Sequence, residues 1–279
     1  MRLAYRGSVN RWECDENDHL NVRFFVDRHW QSLAGGAREP QVQARINSLH
    51  LRFIAEARLA QAMSGYFGVL HHDEHTDVTL VQTILRDSYD DRILSTCLHE
   101  VYGRLEGPDA EQLPEVGSRG IPAEDLPYVQ LDRDRAADYG FAQIGAGTVL
   151  AHECDPQGQM YSAAYMGRIS DAMPHLWHHM HPGSAPREQE GGAVLEYRLR
   201  FHRPLTHTDA YEIWSGVFTV GPKVQQFAHL VFDVDSGGLV ASAQAAGVRM
   251  DLNARKSITL DDARLAALEA VRLRRPEAT

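Results

Sequence analysis

The feature that most constrains this chain is an internal repeat of an acidic segment. Residues 7–28 and 147–168 align without a gap at an offset of 140 positions. Six residues are identical in both copies, and they are Gly7/Gly147, Val9/Val149, Glu13/Glu153, Cys14/Cys154, Asp15/Asp155 and Arg28/Arg168. Because a repeat of this length marks a duplicated structural unit, the chain is predicted to contain two related units.

A second match extends the repeat beyond the acidic segment. The tripeptide Leu-Arg-Phe at 51–53 recurs at 199–201, now at an offset of 148 positions. The eight additional positions fit a Pro/Gly-rich insert at 181–192 of the second copy. Two separate matches in the same order favour duplication over chance resemblance.

Hydrophobic periodicity gives each copy the same order of elements. A first strand enters the acidic corner at 4–13 and at 142–153, and a helix follows at 22–34 and at 163–179. Asn21 and Ser162 are the predicted N-caps, and about four strands follow each helix. We therefore predict an α+β fold in which an antiparallel sheet wraps around a central helix. The expected boundaries are 1–106 for the first domain, 107–141 for a linker, 142–252 for the second domain and 253–279 for a C-terminal helix capped by Thr259.

Composition excludes several classes of protein. The formal net charge of −10 disfavours a nucleic-acid partner, since nucleic-acid binders usually present a basic face. No apolar run reaches the length of a membrane span, and the first ten residues lack the apolar core of a signal peptide. Three cysteines are too few for a disulfide framework. A cytoplasmic protein with no membrane partner is expected.

The acidic corners carry a resemblance to a known family. The second copy reads Asp155, Pro156 and Gly158, whereas the first copy has His19 and Asn21 but Asp18 in place of the glycine. This motif between a strand and a helix resembles that of hot-dog fold acyl-CoA thioesterases, most closely the 4-hydroxybenzoyl-CoA thioesterase type. The resemblance implies two tandem hot-dog domains that pair as a dimer within one chain.

The resemblance also implies a catalytic site at each corner. Asp15 and Asp155 are the expected catalytic carboxylates, which either activate water or attack the thioester carbonyl directly. The backbone N–H groups of Val22 and Ser162, seven residues later, are expected to polarise that carbonyl. His19, Asn21 and Gly158 are the other expected substrate-binding residues. The substrate is an acyl-CoA or a related acyl thioester, and neither a cofactor nor a metal is implied.

Each corner also has other interpretations. Asp is common in turns that enter helices, so either carboxylate has a structural interpretation, and Gly158 favours the second copy as the working one. Hydration of an enoyl thioester and acyl-ligand binding without catalysis are the competing functions. The histidine-rich stretches at 71–75 and 175–179 lack the spacing of a zinc site. Association of such chains into a homo-oligomer is left open.

Overall fold

The structure is a computed structural model that describes residues 1–15, 17–180 and 189–276. Most of the predicted insert, residues 181–188, therefore lies outside the described residues. The chain divides by its contacts into two compact units. The first consists of Met1–Ser118 and Leu150–Ser170, and the second consists of Arg119–Val149 and Asp171–Thr279. These units follow contacts rather than the sequence repeat, and the predicted domain boundaries stay a prediction.

The first unit contains five antiparallel strands, one complete long helix and the beginning of a second helix. Its strands lie in the order β1-β3-β4-β5-β2, and every pairing among them is antiparallel. The elements are β1 (Arg2–Ser8), α1 (Val22–Ala37), β2 (Ile46–Phe53), β3 (Ala62–Asp73), β4 (Val78–Asp87) and β5 (Ile93–Tyr102). The predicted helix and the four strands after it are thus confirmed in this copy.

Helix α1 packs on the face of this sheet because one of its sides is apolar or small. Phe25 and Leu33 are buried on that side, at 4% and 0% exposure. Gly36 brings the helix so close to β3 that an added Cβ would lie 2.2 Å from Cγ of Phe67. The close contact fixes the position of the helix, and with it the position of the corner that precedes the helix.

The second unit repeats the strand order of the first. Its strands lie in the order β6-β8-β9-β10-β7, and the short β11 pairs with β10. The elements in chain order are α2 (Arg133–Ala136), β6 (Ala142–Thr148), α3 (Ser162–Met180), β7 (Glu190–Phe201), β8 (Ala210–Thr219), β9 (Val224–Asp233), β10 (Leu239–Asp251), β11 (Lys256–Ser257) and α4 (Asp262–Ala270). Helix α3 begins in the first unit and ends in the second.

Several predicted element ends were wrong. Both first strands end five residues before the Glu-Cys-Asp triplet, and short 3-10 turns (Arg11–Glu13 and Ala151–Glu153) follow. Ser162 is the first residue of α3 rather than its N-cap. Asp261, not Thr259, caps α4, because its side chain accepts a hydrogen bond from the backbone N–H of Arg264. Local propensity places a helix end only to within a few residues.

Asn21 was predicted correctly as the cap of α1. Its side-chain oxygen accepts a hydrogen bond from the backbone N–H of Arg23 at 3.0 Å. Among the helices of the described ranges, none is both long enough and apolar enough to cross a membrane.

Candidate active site

The second corner is a tight turn built around one carboxylate oxygen. Oδ1 of Asp155 accepts hydrogen bonds from the backbone N–H groups of Gln157 and Gln159, both at 2.9 Å. The backbone N–H of Asp155 donates to the carbonyl of Gln159 at 2.8 Å. Gly158 occupies the left-handed region of the turn, with φ of 82°. The turn is therefore closed by Oδ1 alone, which leaves Oδ2 outside it.

The first corner has the same geometry. Oδ1 of Asp15 accepts from the backbone N–H groups of Asn17 and His19, at 2.9 and 3.0 Å. Asp18 stands where the second corner has glycine and adopts φ of 59°, a conformation that Asp tolerates better than most residues. The carboxylate of Asp18 is 62% exposed and pairs with Arg11. The glycine missing from the first motif therefore does not change the shape of the turn.

An ion pair with a buried glutamate ties each corner to its helix. Oε1 of Glu153 accepts from the guanidinium of Arg168 at 2.8 Å, and Oε2 accepts from the backbone N–H of Leu150 at 3.0 Å. The carbonyl of Glu153 accepts from the backbone N–H of Tyr161, the residue before α3, at 2.8 Å. The first copy has the same pair, Glu13 with Arg28 at 2.6 Å. These contacts give a structural reason for the repeated Glu and Arg, and we call each pair a Glu–Arg clamp.

Burial distinguishes the two corners. Asp155 is 5% exposed, and its Oδ2 is among the buried polar atoms that have no hydrogen-bond partner within the described ranges. Asp15 is only partly buried. An unpaired buried carboxylate oxygen is costly, and such atoms are uncommon in folded proteins. The second corner thus holds a carboxylate oxygen that is free to accept a proton or to contact a ligand.

The first residue of α3 lies in the same corner. The main-chain bridge between Cys154 and Met160, together with the Tyr161 to Glu153 hydrogen bond, folds the chain so that α3 begins beside the Glu-Cys-Asp triplet. Ser162 is fully buried at 0% exposure, whereas Val22, its counterpart at the start of α1, is partly exposed. The N–H groups of a helical first turn have no partner inside the helix, and they carry the positive end of its dipole.

Residues of the first copy complete the second corner. Oε1 of Gln43 lies 3.4 Å from both the backbone nitrogen and Oγ of Ser162, and it accepts a hydrogen bond from each. Trp30 of α1 packs edge-on against Tyr161, with ring centroids 5.0 Å apart. Neither Gln43 nor Trp30 was predicted from the sequence. The corner at Asp155 is therefore assembled from both copies, and all of these residues belong to the first unit.

The side of α1 that faces α3 also carries Arg23 and Asp27, and the carboxylate of Asp27 acts on Tyr161. Arg23 packs so closely on α3 that a Cβ added to Gly167 would lie 2.7 Å from its Cδ. Asp27 lies one turn after Arg23 along α1. Burial raises the pKa of Tyr161, and the carboxylates of Asp155 and Asp27 add to that effect. The phenol therefore stays protonated at neutral pH and can donate a hydrogen bond.

Other predicted residues have structural partners. Nε2 of His19 lies 3.3 Å from a carboxylate oxygen of Glu56, so the histidine is turned toward an acid of the same unit. Asn21 caps α1, as described above. The thiols of Cys14 and Cys154 donate to the carbonyls four residues earlier, at 3.4 and 3.5 Å, and both cysteines are only partly buried.

A separate cavity lies in the second unit and contains none of the predicted site residues. It has a volume of about 350 Å³, and its walls include Leu176 and Met180 of α3, Val217 of β8, and Arg272. The histidine-rich stretches do not form a metal centre in the parts of the chain that the structure covers, where no group of three or more His, Cys, Asp or Glu is arranged to hold an ion.

One family model matches the second copy of the repeat. Residues 149–268 match the model of the thioesterase-like superfamily. Among curated proteins, none matches this sequence. The matched region begins just before the second corner and therefore includes Asp155, Gly158 and Ser162.

Solved structures resemble the chain over most of its length. An acyl-ACP thioesterase from Bacteroides thetaiotaomicron is 11% identical, with a TM-score of 0.59 over 87% of this chain and 96% of that one. A proposed oleoyl thioesterase from Lactobacillus plantarum is 12% identical, with a TM-score of 0.63 over 88% and 95%. The 12:0-ACP thioesterase from Umbellularia californica is 11% identical, with a TM-score of 0.59 over 88% and 96%. At these identities the likeness shows a shared fold, an antiparallel sheet with a packed helix.

Proposed function

We propose that this chain, whose residues 149–268 match the model of the thioesterase-like superfamily, has a hot-dog fold and hydrolyses acyl thioesters at the corner of Asp155. The observation that carries the proposal is the buried, unpaired Oδ2 of Asp155 in the corner where α3 begins. Asp15, at the partly exposed first corner, has a structural role. Acyl-CoA and acyl-carrier-protein thioesters both belong to the proposed substrate class.

The corner supplies the two groups that thioester hydrolysis requires. The backbone N–H of Ser162, at the positive end of α3, donates to the thioester carbonyl oxygen and stabilises the negative charge that develops there. Oδ2 of Asp155 takes a proton from water, whose oxygen adds to the carbonyl carbon. The tetrahedral intermediate then breaks its C–S bond, and the departing thiolate receives the proton. Direct attack by Oδ2, with an anhydride intermediate, is the alternative route.

We also propose that the chain is a tandem double hot-dog whose two domains pair within one molecule. The identical strand order of the two units supports this arrangement. So does the composition of the first unit, which combines Gln43 and Trp30 of the first copy with Asp155, Tyr161 and Ser162 of the second. A single chain would then contain both halves of the site.

Replacement of each aspartate by asparagine tests the assignment. Because asparagine keeps Oδ1, both turns should survive in Asp155→Asn and in its matched control Asp15→Asn. Removal of a general base costs about 10²–10⁴-fold in rate, so we expect a loss of that size in kcat for Asp155→Asn and a change below about threefold for Asp15→Asn. The assay is release of free thiol from a panel of short, long and aromatic acyl-CoAs. Full activity in a folded Asp155→Asn variant would refute the proposal.

Proline at the first helical position tests the backbone donor. Proline lacks an N–H but is well tolerated at the start of a helix, where that N–H has no helical partner. Ser162→Pro should therefore fold and lose about 10²–10³-fold in kcat, the usual cost of one oxyanion donor. Val22→Pro is the matched control in the first copy, and it should keep wild-type activity. Equal losses in the two variants would contradict the assignment of the second corner.

The hydratase alternative has its own readout. Addition of water to an enoyl-CoA removes the conjugated absorbance of the substrate in the ultraviolet, whereas hydrolysis releases a thiol. Thiol release that depends on Asp155, without loss of that absorbance, would favour hydrolysis.

A further inference from the structure

Gln43 makes an unusual contact for a side chain in the first copy. It lies in the 3-10 turn Val42–Arg45 that follows α1, and it is 6% exposed. Its amide oxygen accepts from both the backbone N–H and the hydroxyl of Ser162, which is 119 positions away in the chain. The proposed hydrolysis assigns the backbone N–H of Ser162 to the thioester carbonyl. In this structure that N–H is thus already hydrogen-bonded to an amide oxygen.

This contact cannot persist during the reaction. An amide oxygen beside the developing oxyanion would place its partial negative charge next to that oxyanion, and the repulsion would destabilise the transition state. The contact is also long, at 3.4 Å to each atom of Ser162, against about 2.9 Å for a typical N–H···O hydrogen bond. The carbonyl of a substrate can therefore displace the amide oxygen at little cost.

We propose that Gln43 turns its amide when substrate binds and that its Nε2 becomes the second donor to the thioester carbonyl oxygen. The inference rests on the proposed hydrolysis at Asp155. Oxyanion sites commonly use two donors, and the first turn of α3 supplies one of them. The terminal torsion of glutamine is broad and nearly two-fold, so a half turn exchanges Oε1 and Nε2 without moving the rest of the side chain.

The hydroxyl of Ser162 allows this exchange. A hydroxyl both donates and accepts hydrogen bonds. Its Oγ donates to the amide oxygen of Gln43 before the turn and accepts from Nε2 after it, and the second amide hydrogen is then free for the substrate. The backbone N–H of Ser162 is released at the same time. Val22, the counterpart of Ser162 in the first copy, has no hydroxyl, so the first corner cannot make the same exchange.

The test compares Gln43→Met with a neighbouring glutamine. Methionine has a similar length but no amide, so packing is kept while the donor is lost. We expect Gln43→Met to lose about 10²–10³-fold in kcat, the cost of one oxyanion donor, with an unchanged melting temperature. Gln41→Met is the matched control, because Gln41 is exposed at the start of the same turn. Gln41→Met should keep wild-type kcat.

Two further variants separate a donor from a structural role. Gln43→Glu should be as slow as Gln43→Met at pH 8, and its rate relative to wild type should recover as the pH falls, because only a protonated carboxyl can donate. Ser162→Ala keeps the backbone N–H but loses the hydroxyl. It should lower kcat by about tenfold in the wild-type background and should have no further effect in Gln43→Met.

The outcomes distinguish this inference from the proposed function. If wild type hydrolyses thioesters and Asp155→Asn does not, but Gln43→Met keeps kcat within about threefold, the donor role is wrong and the hydrolysis stands. A loss confined to KM or to the melting temperature would also overturn the donor role. If wild type releases no thiol from any substrate of the panel, the proposed function itself fails.

Discussion

Replacement of Arg168 by methionine tests whether the second Glu–Arg clamp is held by buried charge. The variant leaves the carboxylate of Glu153, which is 1% exposed, with the backbone N–H of Leu150 as its hydrogen-bond donor among the described residues. Breaking a buried pair and leaving one charge in the interior costs about 3–5 kcal/mol. We therefore expect Arg168→Met to lower the free energy of unfolding by about 3 kcal/mol, the lower end of that range.

Replacement of the other partner, Glu153, should lower the free energy of unfolding by less. Glu153→Gln leaves the guanidinium of Arg168, which is 34% exposed and can be hydrated, and the glutamine oxygen still accepts a hydrogen bond. The expected loss is about 1–2 kcal/mol, the scale of a weakened charge-assisted hydrogen bond. The double variant removes both charges of the pair, so its loss should fall short of the sum of the single losses by about 1–3 kcal/mol.

The first clamp is the matched control for this reasoning. Arg28 and Glu13 are 3% and 10% exposed, so either replacement leaves a buried charge. Arg28→Met and Glu13→Gln should therefore cost similar amounts, about 3–5 kcal/mol each. Urea unfolding followed by circular dichroism measures all five variants, and thermal unfolding should shift by about 2–4 °C for each kcal/mol. A loss in Glu153→Gln equal to or larger than that in Arg168→Met would refute the argument.

The clamp also has a pH signature. Burial of Glu153 would raise its pKa, but the hydrogen bonds from Arg168 and from the backbone of Leu150 outweigh burial and hold the pKa below its usual range. Because the folded state lowers this pKa, the stabilisation is fully present above the unfolded value of about 4.3 and is lost as the pH falls through the folded value. The difference in stability between wild type and Arg168→Met should therefore narrow on acidification.

Other predictions concern single residues away from the clamps. Burial lowers the pKa of His99 and of His229 to about 3. Below pH 6.5 the unfolded chain therefore binds a proton at each histidine that the folded chain does not bind. Each should lower the free energy of unfolding by about 1.4 kcal/mol per pH unit in that range. Replacing either by glutamine should reduce the pH slope of urea unfolding between pH 6.5 and 4. Asp18→Gly should raise the melting temperature, because glycine relieves about 0.5–1 kcal/mol of backbone strain at a positive φ. A lower melting temperature would show that the ion pair between Arg11 and Asp18 contributes more than this strain costs. Gly36→Ala should cost about 1–3 kcal/mol in thermal unfolding, because its Cβ would overlap Phe67.

The repeat predicted much of the fold and the local form of each corner. Identity at Asp15/Asp155 and at Glu13/Glu153 was enough to predict two equivalent turns, and both turns have the same hydrogen bonds. The repeated Arg28 and Arg168 were visible as identities, but their role was not, because a pairing across fifteen positions depends on how the corner folds back on its helix. Helix ends were off by a few residues since capping depends on local geometry.

The residues that surround Ser162 were beyond sequence reasoning. Gln43 lies 119 positions from Ser162, and no motif links the two. Trp30 aligns with Ser170 at the offset of the repeat, so the repeat gives no indication of its role. Both residues reach the second corner only through tertiary packing, which the pattern within one segment does not encode.

The first unit, which joins Met1–Ser118 to Leu150–Ser170, has a consequence for the ancestry of the chain. For the proposed double hot-dog, a single-copy ancestor would have needed a second molecule to bring the equivalents of Gln43 and Trp30 to its own corner. Joining the two copies in one chain would make that neighbour permanent. In the proposed arrangement, deletion of either half would remove part of the site at Asp155, because Gln43 and Trp30 belong to one copy and Tyr161 and Ser162 to the other.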